Sequence, residues 1–191
     1  MIKKSDLKII PDNDPILLSP PSPWDFNGEE DAQMFSNILQ DKMVELGGIG
    51  LSANQVGVSK KVFVIGMNEF KKTFFNPEIV ETSKEEEAGE EGCLSFPGIF
   101  LQVKRPSDVV IKYQDEKGEW FTEEFKGLTA RVILHEYDHM LGKVFKEKVS
   151  KLKWDMATKK KAKKIKRIIK QHVQKRLIDI QKQINQHGNN T

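Results

Sequence analysis

The residues with the clearest chemistry are His135-Glu136-Tyr137-Asp138-His139. In a helix, side chains four apart stand one above the other, so the two imidazoles aim at one point with Glu136 beside them. Two neutral imidazole nitrogens suit a divalent transition metal. A neighbouring carboxylate that is not a ligand can take a proton from water held there. A short His-Glu-any-any-His match also arises by accident from two surface histidines, so the flanks matter. Leu128 and Val132 fall on the stripe of His135 and His139, while Ile133, Leu134, Tyr137, Met140 and Leu141 cover other sides. A helix apolar nearly all round is a buried one. Gly127 near its start and Gly142 near its end mark its limits. With only four histidines in the whole chain, chance pairing loses further ground.

A catalytic site of this type has three protein ligands and an open position, so the histidines need one more partner. Cys93, in Glu91-Gly92-Cys93-Leu94-Ser95, is the candidate: the glycine lets backbone approach closely and a metal stabilises a thiolate. Without the histidines the same stretch reads as an ordinary buried cysteine in a turn. Gly48-Ile49-Gly50-Leu51-Ser52-Ala53-Asn54-Gln55 offers a bare backbone surface against which a peptide can lie, with Gln55 as a neutral hydrogen-bond donor. Taken alone it reads equally well as a helix stop followed by a tight turn.

These stretches sit in a chain of 191 residues, 38% hydrophobic, which is enough for one well-buried core. No apolar run approaches the ~20 residues of a membrane span, and the start is no apolar signal core, so a cytoplasmic protein is expected. A single cysteine rules out an intrachain disulfide. Charge divides the chain: residues 151–191 carry 13 Lys and Arg against Asp155 and Asp179, a balance of +11, while 18 basic and 26 acidic residues leave −8 for residues 1–150. The expected organisation is a catalytic domain over 1–150 and a basic amphipathic helical tail over 151–191.

Along the chain, Pro11, Pro15, Pro20, Pro21 and Pro23 predict an extended arm on the surface over the first 26 residues. Asn27 can cap a helix from about Gly28 to Leu46, ended by Gly47-Gly48. Lys61 to Gly66, Thr73 to Phe75 and Ile79 to Thr82 read as strands, with Asn76-Pro77 a turn. The acidic run Glu85, Glu86, Glu87, Glu90, Glu91 reads as a solvated loop. Val109 to Tyr113 and Trp120 to Phe125 read as strands joined by a hairpin turn at Asp115 to Gly118, and Val144 to Val149 as a returning strand. Ile165, Ile169, Val173, Leu177, Ile180 and Ile184 follow helical spacing in the tail, from about Asp155 or Thr158 to His187, with Gly188, Asn189 and Asn190 as a stop. Strands surround helices without regular alternation, which argues for an α+β fold.

In order and content the three stretches resemble the peptide deformylases, whose pattern is Gly-apolar-Gly-apolar-Ala-Ala-any-Gln, then Glu-Gly-Cys-apolar-Ser, then a His-Glu-any-any-His helix. The resemblance covers about Pro11 to Ser150 and implies removal of the N-formyl group from the N-terminal methionine of new polypeptides. It implies antiparallel strands packed around one central metal-binding helix, here followed by the C-terminal basic helix. Carried over residue by residue, Cys93, His135 and His139 become ligands of one divalent ion, Fe²⁺ by family habit, although Zn²⁺, Ni²⁺ or Co²⁺ suit the same donors. Glu136 becomes the general acid and base, Gln55 and the Leu94 backbone N–H the oxyanion donors. Ile49, Gly50, Leu128 and Val132 become the methionine pocket, and Arg105 and Asp138 a pair steadying the helix. Ser52 stands where alanine is usual, Leu134 where glutamine commonly precedes the His-Glu pair, and Leu18 where arginine is frequent.

The expected partners are formyl-methionyl nascent peptides and, through the tail, the ribosome, with no membrane and no DNA. Two other classes use part of the pattern. A zinc endopeptidase takes its third ligand downstream, usually a His or Glu on another helix, and the only downstream histidines are His172 and His187, both in the polar tail. A ribosome- or RNA-binding protein with a structural metal has no use for Glu136 and Gln55, because a structural site closes its fourth position.

Overall fold

The computed structural model describes residues 2–67 and 70–188, the last seven through their backbone alone. The chain divides into two compact units, residues 1–150 and 151–191. In the first, α1 (Ala32–Glu45) is followed by β1 (Gly50–Ser52), β2 (Val62–Met67), β3 (Phe70–Thr82), β4 (Glu86–Gly92), β5 (Phe100–Pro106), β6 (Asp108–Gln114), β7 (Trp120–Lys126) and α2 (Gly127–Met140). The second is α3 (Lys151–Gly188).

An antiparallel sheet of order β1-β2-β3-β6-β7 separates two apolar layers. Successive side chains of a strand point to opposite faces. On β2, Val62 and Val64 therefore join Leu7, Trp24, Phe35, Leu39 and Met43 of the arm and α1, while Phe63 and Ile65 join Phe74, Ile111 and Ile133 on the α2 side. A second, two-stranded sheet, β4-β5, flanks α2. The metal-motif helix thus lies between two sheets, as the α+β reading expected.

Several boundaries differ from the sequence reading. Helix α1 begins at Ala32 because Asp31, not Asn27, caps it, accepting from Met34 N at 2.6 Å. Asp25 holds Asn27 and Gly28 in the preceding turn. Asn76-Pro77 is no turn but a bulge inside the continuous strand β3, with a register shift between Phe75 and Glu78. A bulge tolerates proline's missing N–H, and the Asn76 side chain there ties Trp24 to Gln114. From Glu86 onward the acidic run is strand β4, not a loop, paired along its length with β5. Val144 to Val149 is not a strand: Phe145–Lys148 forms a 3₁₀ turn, closed by Glu147 accepting from Val144 N at 3.1 Å. The arm is more than a surface wrap, since Leu7, Leu17 and Trp24 are buried.

Helix α3 starts one turn earlier than expected, with Lys151 paired to Asp155 at 2.7 Å across its first turn. Ile165, Ile169, Val173, Leu177 and Ile180 are exposed along it. Ile184 is described by its backbone only, and Asn189 and Asn190 of the expected stop lie outside the described residues. Among those residues, no helix is long and apolar enough to cross a membrane.

Candidate active site

Helix α2 carries His135 and His139 one turn apart, and the turn after β4 brings Cys93 to them. One donor atom from each lies within 4.8 Å of the others. Cys93 Sγ stands 3.6 Å from His139 Nε2. A tetrahedral ion with sulfur at ~2.3 Å and nitrogen at ~2.0–2.1 Å separates such donors by about 3.5 Å, so the residues present fit a divalent ion. Two imidazoles and one thiolate also leave a fourth position open, as a catalytic site requires.

The environment prepares these donors. His135 Nδ1 contacts Glu91 Oε2 at 3.0 Å, which leaves Nε2 for a ligand. Burial works to lower the His135 pKa, but its bonds to Cys93 and Glu91 outweigh it and raise it to about 10. His139 is the opposite case: burial, then the charges of His135 and Arg105, push it well below its ordinary range and keep it neutral. Burial likewise raises Glu136, making it a stronger base, although His135 and Ser52 pull the other way.

Glu136 is clasped in place. Its Oε2 accepts from Ser52 Oγ at 2.5 Å. Its Oε1 occupies the space over Gly50 where an added Cβ would stand, so only glycine admits the carboxylate there. Gln55 turns its Oε1 to Ser52 N at 2.9 Å and its Nε2 to Cys93 Sγ at 3.3 Å and Ser95 Oγ at 3.1 Å. The Leu94 N–H carries no hydrogen bond to another described residue. Gln55, Leu94, Cys93, His135 and Glu136 open onto a cavity of about 510 Å³, and His139 lies behind them. Ile49, Gly50, Leu128 and Val132 are on its wall.

The sequence reading missed what holds this constellation together. Glu91 is buried and engages two arginines and a histidine: Arg105 Nε at 2.8 Å, Arg105 Nη2 at 2.9 Å, Arg131 Nη1 at 2.8 Å, and His135. Burial acts to raise its pKa, yet the bonds from His135 and Arg105 hold it at about 2. Arg105 also reaches Asp138 Oδ2 at 2.7 Å and the Leu134 carbonyl at 3.2 Å, so the Arg105–Asp138 pair does anchor α2. Lys148 completes the chain at Asp138 Oδ1, 3.2 Å. The available signal was position: Glu91 stands two residues before Cys93, but the four other acids of its run made it look solvated.

Comparison with known proteins agrees with this geometry. The polypeptide deformylase family model matches residues 6–155. A peptide deformylase of Thermotoga petrophila is 37% identical over 150 residues, 77% of this chain and 89% of that protein. The crystal structure of a peptide deformylase from Legionella pneumophila superposes with a TM-score of 0.75 at 37% identity, covering 85% of this chain and 96% of that one. A Met-Ala-Ser-bound class I type b peptide deformylase from Acinetobacter baumannii gives a TM-score of 0.71 at 32% identity, covering 75% of this chain and 98% of that one. Motif, fold and relatives converge, and the chain belongs to the polypeptide deformylase family, metal-dependent hydrolases that remove the N-formyl group from the N-terminal methionine of new polypeptides.

Proposed function

We propose that Cys93, His135 and His139 hold one divalent ion, natively Fe²⁺, and that Glu136 is the acid and base of the deformylation. Zn²⁺, Ni²⁺ and Co²⁺ suit the same donors. The observation that carries this reading is the convergence of the three donor atoms within 4.8 Å, with the Glu136 carboxylate clasped beside them. When bound, the ion polarises the formyl carbonyl and lowers the pKa of water.

The chain's own residues do the rest. Glu136 takes the proton of the attacking water, and later gives it to the departing amine. The Leu94 N–H and Gln55 Nε2 donate to the oxygen on which negative charge develops, Gln55 by leaving Cys93 or Ser95. Ile49, Gly50, Leu128 and Val132 form the wall that takes the methionine side chain, consistent with the Met-Ala-Ser peptide held by the Acinetobacter relative. Formate and a free methionine amine are the products.

The working place of the protein is the cytoplasm, where formyl-methionyl peptides emerge. The α3 tail supplies a docking segment for ribosomal RNA: its +11 offsets the −8 of the body and is attracted to phosphate. Formate release from a formyl-methionyl peptide, by protein prepared without oxygen and loaded with Fe²⁺, tests the core of this reading. Stoichiometric ion without formate would sink it.

A further inference from the structure

Leu128, Arg131 and His135 recur at three- and four-residue spacing on α2, so they share one stripe of that helix. All three line the cavity. A side chain lying along this wall away from His135 meets Arg131 before it reaches Leu128. A guanidinium stands out beside Ile49, Leu128 and Val132 in a wall to which Glu90 and Glu91 also belong, because it cannot discharge and must be satisfied by acceptors.

Part of that demand is met by protein. Nη1 donates to Glu91 Oε1 at 2.8 Å and to the Val103 carbonyl at 2.9 Å, and Nη2 donates to the Glu87 carbonyl at 2.6 Å. Guanidinium has five N–H donors. The Nε–H and the second Nη2 hydrogen have no partner among the described residues. The group is also locked in position. It lies against the backbone of Gly89, where an added Cβ would stand 2.6 Å from Arg131 Cζ, so β4 has room for it only because residue 89 has no side chain. The side chain is 12% exposed, which keeps its unused donors poorly hydrated.

We propose that Arg131 is a specificity-determining residue: it presents fixed donors to the side chain of the N-terminal residue and selects one bearing an acceptor atom, a thioether or its sulfoxide, over a plain alkyl chain. This rests on the reading that the cavity takes the methionine side chain. A wholly apolar wall treats a thioether and a methylene of equal size almost alike and rejects a sulfoxide, whose oxygen loses its water partners without replacement. With Arg131 in the wall, sulfur gains a weak acceptor contact and the sulfoxide oxygen a charge-assisted one.

Three formyl-X-Ala-Ser peptides, with X methionine, norleucine or methionine sulfoxide, are compared by kcat/KM on the Fe²⁺-loaded full-length chain and its Arg131→Leu and Arg131→Lys variants. Ratios between peptides are taken within one preparation, so losses of folded or loaded enzyme cancel. Wild type should favour methionine over norleucine by about 3- to 10-fold, the worth of one modest hydrogen bond. It should also cleave the sulfoxide peptide within about tenfold of methionine. Arg131→Leu should bring the methionine to norleucine ratio to about one and lower the sulfoxide at least tenfold relative to methionine, with Arg131→Lys between. Unchanged ratios in Arg131→Leu, even with a lower melting temperature, would show that Arg131 only joins α2 to β4 and β5. If Arg131→Leu does not fold, wild type and Arg131→Lys decide: sulfoxide cleavage more than about a hundredfold below methionine in wild type overturns the proposal. No formate from any peptide overturns the functional reading as well, whereas formate from formyl-methionine with unchanged ratios overturns this inference alone.

Discussion

Glu136 and Glu91 are both buried glutamates next to the metal ligands, and their surroundings push them in opposite directions. Glu136 meets one hydroxyl and a bare glycine backbone, so burial prevails and the carboxylate is basic. Its replacement, Glu136→Gln, keeps the shape and the Ser52 contact but cannot accept a proton. We expect full ion content, an unchanged melting temperature and a kcat lower by about 10² to 10⁴. Normal turnover at normal ion content would remove Glu136 from the reaction. Glu91 meets two guanidinium groups and remains an anion. Glu91→Gln should weaken ion binding about 10- to 100-fold in chelator competition, because His135 loses its orienting partner. It should also cost about 3–5 kcal/mol in denaturant unfolding, since Arg105 stays buried with one anion fewer. Wild-type values for both would make the network ornamental. The contrast explains what could be read from sequence. Cys93, His135, Glu136 and His139 announce themselves by residue type and spacing. Glu91 differs from Glu90 only in the face of β4 it occupies, and a strand's faces become visible only once its partner strand is known.

Element boundaries followed the same division. The hairpin of β6 and β7 was legible because alternating apolar residues flank Asp115 to Gly118, and α2 was legible because it is apolar nearly all round. Strand β4 was not, because its stability comes from pairing with β5 rather than from its own composition. The start of α1 was misplaced by one turn because Asn27 and Asp31 are equally good caps in sequence, and Asp25 alone decides between them by closing the earlier turn. On β6 and β7, Glu123 accepts from Tyr113 Oη at 2.7 Å and from Lys72 Nζ at 2.6 Å. Burial opposes its ionisation, but these bonds lower its pKa below the ordinary 4.5. A depressed carboxylate stabilises the fold fully above its unfolded pKa, and that contribution disappears as pH falls through the folded one. Melting temperature should therefore drop more steeply below pH 4.5 in wild type than in Glu123→Gln, with the variant lower at neutral pH. Parallel acid limbs would deny Glu123 this role.

At the scale of the molecule, an acidic catalytic unit and a basic helix perform separable tasks in the proposed function. Removing residues 151–191 should leave kcat/KM on a short formyl-methionyl peptide nearly intact. It should weaken ribosome binding and flatten its dependence on salt, because fewer phosphate counterions are released. Equal ribosome affinity before and after truncation, at low and moderate salt, would refute docking; collapse of short-peptide activity would show the helix to be structural. The whole chain also holds a single cysteine, and that cysteine is Cys93. A thiol-specific chromophore therefore has one place to react, and an ion held there shields it. Colour developed per mole of native protein counts the empty sites, while colour after unfolding in chelator counts every chain. The enzyme carries its own occupancy meter, readable without measuring turnover. A preparation whose native and unfolded counts agree even with stoichiometric ion present would place that ion elsewhere.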